Sequence, residues 1–129
     1  MPDRIKPGYV EQYVSIASTR ECILHASGQE VASGEGVSQV VGDYREALLD
    51  IDVTAINPKP TKTASVTFKL QTKVNGQWRD IPSVTLTAAT SISNQTVKVA
   101  TFGEEIRLTW TLTADTADIT FSAALLAKS

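Results

Sequence analysis

Two aspartates, Asp50 and Asp52, stand two residues apart in "EALLDIDVTAI". On extended backbone, residues two apart project from the same face. Paired carboxylates can hold a calcium ion or run acid/base hydrolysis. Calcium would need a glycine-bearing ligand loop, and hydrolysis a second carboxylate across a cleft; the surrounding residues supply neither. The pair therefore reads as the polar outer face of a strand or as a polar partner contact. His25 is the only histidine and Cys22 the only cysteine. A nucleophile and its base must lie within hydrogen-bond reach, whereas a three-residue offset on a strand sends these two side chains to opposite faces. One histidine and one cysteine cannot build a structural zinc site either. "SGEG" (33–36) lacks both the spacing of a phosphate-cradling loop and the helix that should follow it. The chemistry-bearing residues thus point away from an enzyme, and no cofactor or metal is expected.

Large amphipathic rings are the other residue type that carries binding energy. Trp78, Tyr44, Tyr9 and Tyr13, with Ile16 beside the last two, are the candidate partner-binding residues. Exposed rings on a β-scaffold can also stack on sugars, so a glycan is a second class of ligand. Few convergent polar groups accompany these rings in the sequence, which weighs against it.

The bulk numbers narrow the classes further. At 129 residues, the chain fits one domain with a substantial core. With 42% apolar and 20% charged residues, it is globular rather than disordered. The net charge is −2, from 12 basic and 14 acidic residues scattered along the chain. No basic stripe exists to meet a phosphate backbone, so nucleic acid is not expected as a partner. No apolar run approaches a membrane span, and "MPDRIKPGYV" lacks the apolar centre of a secretory signal, so export is not expected. A lone cysteine forms no internal disulfide, and Cys22, inside "RECILHAS", reads as a small buried apolar residue.

The elements that must position these residues are strands. Period-two alternation recurs from residue 46 onward. Leu49, Ile51, Val53 and Ala55 alternate with Asp50, Asp52 and Thr54. Val66, Phe68, Leu70 and Val74 oppose Thr67, Lys69, Gln71 and Lys73. Ile106, Leu108, Trp110 and Leu112 alternate with Arg107, Thr109 and Thr111, which sends Trp110 inward. Ile119, Phe121, Ala123 and Leu125 repeat the pattern. Weaker strands are expected near 21–27, 36–41, 83–88 and 96–102, with turns at "NPKP", "NG", "IPS", "SISNQ", "FGEE" and "ADTAD". About eight short strands without a connector long enough for a crossover helix give an all-β fold. The expected architecture is an antiparallel two-sheet β-sandwich of jelly-roll type over residues 20–129. Residues 1–19, with Tyr9, Tyr13 and Ile16 at helical spacing and Pro2 and Pro7 upstream, read as an N-terminal arm that docks on a neighbouring subunit or on its own domain.

Trp78 depends on one turn. If Asn75-Gly76 is a two-residue type I′ turn, Lys73 faces Trp78 and the indole lies outside. A longer loop or a bulge slides Trp78 opposite Val74 and into the core. The size of the indole favours the second register.

An ordered set of motifs resembles a family. "GDYREALLDIDVTAI" (42–56), "ASVTFKLQTKVNGQWRDI" (64–81) and "TFGEEIRLTWTLTADTADITFSAALLAKS" (101–129) are similar to the strands of small jelly-roll structural proteins of tailed bacteriophages. Tyr44, Glu46, Ala47 and Leu48 match the first motif; Gln71, Thr72, Gly76, Trp78, Asp80 and Ile81 the second. Phe102, Gly103, Ile106, Arg107, Leu108 and Trp110 match the third, and Phe121, Ser122 and Leu125 to Lys128 the last. "KVNG" departs from the commoner acidic turn, and Glu104-Glu105 stand where that family often has Arg-Tyr. The resemblance implies a non-catalytic virion protein assembled in the host cytoplasm. It implies a capsid decoration or cement protein on the major capsid protein, often a homotrimer, or a head, neck or tail piece bound to other virion proteins.

Overall fold

The computed structural model describes residues 19–129, and among them every regular element is a strand. Nine are present: β1 (Thr19–Glu30), β2 (Gly34–Glu35), β3 (Gln39–Val40), β4 (Glu46–Pro58), β5 (Val66–Val74), β6 (Gln77–Asp80), β7 (Ser93–Val99), β8 (Glu105–Leu112) and β9 (Thr116–Lys128). They form two antiparallel sheets. One has the order β1-β9-β4-β7; the other runs β2-β8-β5-β6, with β3 also paired to β8.

The pairings nest around a single turn. β5 pairs with β6, β4 with β7, the short β2 and β3 with β8, and β1 with β9. The chain is thus one long hairpin bent at Asn75-Gly76 and rolled until β4 meets β9 and β5 meets β8. Counting β2 and β3 as one interrupted strand gives the eight strands of a jelly roll. The expected sandwich is present.

The alternation read from the sequence becomes the core. Leu49, Ile51 and Val53 from β4 and Ile119, Phe121 and Leu125 from β9 face Val66, Phe68 and Leu70 from β5 and Ile106, Leu108 and Trp110 from β8. The rings of Phe68 and Phe121 meet edge to face with centroids 5.1 Å apart, a geometry worth about 1 kcal/mol beyond simple burial. Trp110 is buried as expected, and its Nε1 donates to the Ala32 carbonyl at 3.0 Å.

Three weaker expectations change. The 36–41 run is not one strand: within it only β3 is extended, and β2 ends just before it. Between them Gly36 N donates to Leu108 O and Val37 N to Leu24 O, so the segment crosses from one sheet edge to the other. Only glycine fits there, because a Cβ on Gly36 would lie 2.3 Å from the Leu24 carbonyl oxygen. Residues 83–88 form no strand. Val84 and Leu86 pack against the core, but the stretch itself joins no ladder; only Ala89, just beyond it, makes an isolated bridge with Val66. The Gln95 side-chain amide takes a strand's place, accepting from Thr87 N at 2.8 Å and donating to Thr87 O at 2.7 Å. The strand expected at 96–102 runs instead from Ser93 to Val99.

Candidate partner-binding face

The β5–β6 hairpin decides the site. Asn75 (φ 54°) and Gly76 (φ 74°) both adopt left-handed backbone, which defines a two-residue type I′ turn. Val74 therefore faces Gln77, and Lys73 faces Trp78. Because facing residues share a side, the indole stands with Lys69, Gln71 and Lys73 on the outer face of the β5 sheet. The expectation that its size would carry it into the core is overturned. No bulge intervenes, and long cationic side chains shelter the ring instead of the core. The Arg107 guanidinium carbon lies 4.4 Å from the ring centroid and Lys73 Nζ 5.7 Å from it, both within cation–π range.

Arg107 is held in place from below. Its Nε donates to Gln71 Oε1 at 2.9 Å, and Gln71 Nε2 donates to Asp80 Oδ1 at 2.9 Å. Lys69 Nζ approaches Asp80 Oδ2 at 3.4 Å, and Lys73 Nζ approaches Glu105 at 3.9 Å. The Gln71 hydrogen bond above all holds the Asp80 carboxyl below its ordinary value, with Lys69 assisting and burial opposing. The face thus presents a flat indole within a relay that fixes the position of each polar group. Beside it, Val74, Ile81, Pro82, Thr101, Phe102 and Gly103 line an apolar groove of about 530 Å³. The flat ring, the fixed polar groups and the apolar groove together offer stacking, charge-assisted and apolar contacts.

The other candidates fall elsewhere. Tyr44 lies in the turn before β4, half-buried against the hydrophobic core, with its N–H bonded to the Val41 carbonyl. No contact joins it to Trp78. Tyr9, Tyr13, Ile16 and the N-terminal arm to which they were assigned lie outside the described residues, apart from Thr19, which opens β1. Asp50 and Asp52 do share the outer face of β4, and Asp50 Oδ1 accepts from Asn94 Nδ2 at 3.0 Å and Thr96 Oγ1 at 2.7 Å. Among the described residues no group of three or more His, Cys, Asp and Glu side chains is arranged to hold a metal ion.

Cys22 and His25 need a correction. A register shift between Ile23 and His25 breaks the alternation of β1, so His25 turns inward along with Cys22 and Leu24. Its ring stacks on Phe121 at 3.9 Å and meets Trp110 edge-on at 5.0 Å. Its nitrogens are taken up by the Phe121 carbonyl oxygen at 3.1 Å and by Glu30 Oε2 at 2.8 Å. Those partners leave no nitrogen facing Cys22, so the pair forms no dyad, for a different reason than strand parity.

Sequence reasoning missed Arg107, Gln71 and Asp80 as members of the face. The signal was present: alternation places Arg107 and Gln71 on outer faces, and the hairpin register alone brings Trp78 to them.

No protein-family model matches the chain, and no curated protein matches it in sequence. Among solved structures, the chain is similar to YomS, a protein derived from the SPBc2 prophage, at 16% identity and a TM-score of 0.50, with 86% of this chain and 95% of that chain covered. A chain of infectious bursal disease virus, Gt strain, aligns at 6% identity and a TM-score of 0.49, over 87% of this chain and 33% of that one. A chain from the capsid of the Helicobacter pylori bacteriophage KHP30 aligns at 15% identity and a TM-score of 0.33, over 85% and 93% respectively. The likeness to YomS, which spans nearly the whole of both chains, shows that this chain shares the fold of a prophage-derived protein.

Proposed function

We propose that the protein is a non-catalytic structural subunit of a phage virion, specifically a decoration protein that binds the major capsid shell. The observation that carries this reading is the near-full-length fold likeness to a prophage-derived protein. The motif resemblance of residues 42–129 to phage jelly-roll structural proteins supports it. On this reading the Trp78–Arg107 face is the adhesive surface, with the neighbouring groove taking an apolar side chain of the shell. The protein works as a homo-oligomer, with the trimer as the form the resemblance implies, and is assembled onto the particle in the host cytoplasm. Repetition over a lattice turns modest contacts into tight retention when geometry lets several engage together.

Mass spectrometry of purified particles tests the location: the chain should be recovered in many copies, and its absence ends the reading. Re-binding to undecorated capsids tests the face. Trp78→Ala should lower occupancy about tenfold or more, the cost of losing a central aromatic anchor. A tail or neck position would show as a low copy number per particle. The outward indole also favours a second reading, a glycan-binding module, because aromatic plates flanked by amide and carboxylate groups suit a sugar. A shift in tryptophan fluorescence on titration with host polysaccharides would favour it over capsid binding.

A further inference from the structure

The outer face of the β1-β9-β4-β7 sheet carries a pattern that the capsid reading does not use. The strand registers align Glu21, Leu126, Leu48 and Lys98 in one row across the four strands. The adjacent row holds Thr19, Lys128 and Glu46, and the row on the other side Ile23, Ala124, Asp50 and Thr96. Leu48 and Leu126 are exposed by 44% and 46%, and Ile23 by 49%, so a small apolar strip lies open in the middle of the face. An acid closes the row at one edge and a base at the other. Those ends are three strand spacings apart, about 14 Å, too far to pair within one chain. Among the described residues neither Glu21 nor Lys98 has an ion-pair partner.

We propose that this face binds a second copy of the chain through a two-fold axis parallel to the strands, lying between β9 and β4. That rotation preserves each row and reverses its direction. Leu126 then covers the second copy's Leu48, and Glu21 meets the second copy's Lys98; symmetry repeats both contacts. In the adjacent row Lys128 meets the second copy's Glu46, so the pair that approaches at 4.0 Å within one chain becomes part of a four-charge cluster. Asp50 faces the second copy's Ala124 and keeps its own partners, Asn94 and Thr96. An axis along the row would instead set Glu21 on Glu21 and Lys98 on Lys98, which like-charge repulsion rejects. Sheets packed face to face cross at about 30°, which moves the row ends by only about 4 Å, within the reach of glutamate and lysine side chains. The joint is two-fold, not the threefold arrangement the resemblance implies, and it needs no capsid.

The test is the mass of the full chain in solution, by sedimentation or light scattering across a concentration series. The wild type should show a dimer. Glu21→Lys or Lys98→Glu alone replaces two attractive contacts with two repulsive ones and should weaken dimerisation about tenfold or more. Both substitutions lie on exposed positions, and a single cooperative melting transition with a wild-type circular dichroism spectrum confirms that each variant is folded. The deciding arm mixes the two variants. A Glu21→Lys copy and a Lys98→Glu copy are complementary at both ends of the row, so the mixture should form a heterodimer that neither forms alone. The inference is overturned by a wild type that stays monomeric to about 0.5 mM, including the case in which residues 1–18 cover the strip. A trimeric wild type, single reversals that leave the dimer intact, or a mixture that fails to associate would overturn it too. Failure of particle binding bears only on the capsid reading.

Discussion

Replacing Gly36 by alanine tests the path of the segment between β2 and β3. The added Cβ would stand 2.3 Å from the Leu24 carbonyl oxygen, a backbone atom that cannot swing aside. Contact distances of about 3.3 Å or more are needed, so β1 and this segment must separate by about 1 Å. Overpacking of that kind costs about 1–3 kcal/mol. The separation also weakens the bonds from Gly36 N to Leu108 O at 2.8 Å and from Val37 N to Leu24 O at 3.2 Å, each worth about 1 kcal/mol. The combined loss is about 3 kcal/mol, which lowers the melting temperature of a domain this size by about 12 °C. Urea unfolding followed by circular dichroism should show a lower midpoint with an unchanged slope. Gly28→Ala is the control, since a Cβ there meets nothing closer than 3.6 Å, and it should stay within about 0.5 kcal/mol of wild type. A Gly36→Ala protein as stable as the control would refute the close approach.

Three further outcomes follow from individual contacts. Thr72 Oγ1 donates to Glu105 O at 2.8 Å and accepts from Gly103 N at 2.7 Å in a nearly buried position; Thr72→Val should cost about 2–3 kcal/mol in urea unfolding, with Thr72→Ser recovering most of it. Gly76→Ala adds no contact within 4 Å at φ 74°, so its cost is backbone strain alone, about 1–2 kcal/mol, and a neutral result would argue against the type I′ turn. The Asp80 carboxyl is held below its ordinary value by Gln71 and Lys69, so its contribution is present above the unfolded pKa of about 3.9 and fades as pH falls through the lower folded value. The stability gap between wild type and Asp80→Asn should be small, because the pair is exposed, and should shrink between pH 5 and pH 3; a constant gap contradicts the assignment.

The long strands were legible because one face is buried and the other is not. β8 alternates throughout, β5 as far as Thr72, β4 as far as Val53 and β9 from Ile119, and that placed Trp110, Phe68 and Phe121 inside; past Val53 a register shift in β4 sets Ile56, not the expected Ala55, against the core. Where backbone leaves the regular ladder, period-two reasoning fails. The register shifts of β1 turned His25 inward against its parity. The break between β2 and β3 depends on a backbone contact between residues far apart in sequence, which no local pattern encodes. At 83–88 the propensity for a strand was real, but the ladder bonds went to the Gln95 amide instead. Trp78 was named as a binding candidate, but its inward placement came from weighing hydrophobicity above turn chemistry. Asn-Gly specifies its turn type strongly, and the cations that shelter the ring come partly from β8, far along the chain.

The nested pairing has a kinetic consequence. Among the described strands only the β5–β6 hairpin joins residues close in sequence; every other pairing spans a longer stretch, and the outermost, β1 with β9, unites segments about a hundred residues apart. Chain closure of that kind makes for slow maturation relative to helical domains of equal length. During synthesis β1 emerges before the other described strands and β9 after them, so the apolar side chains of Cys22 and Leu24 lack their facing strand until β9 has left the ribosome. Protection of β1 while it waits for β9 therefore enters the yield of folded protein alongside the stability of the finished sandwich.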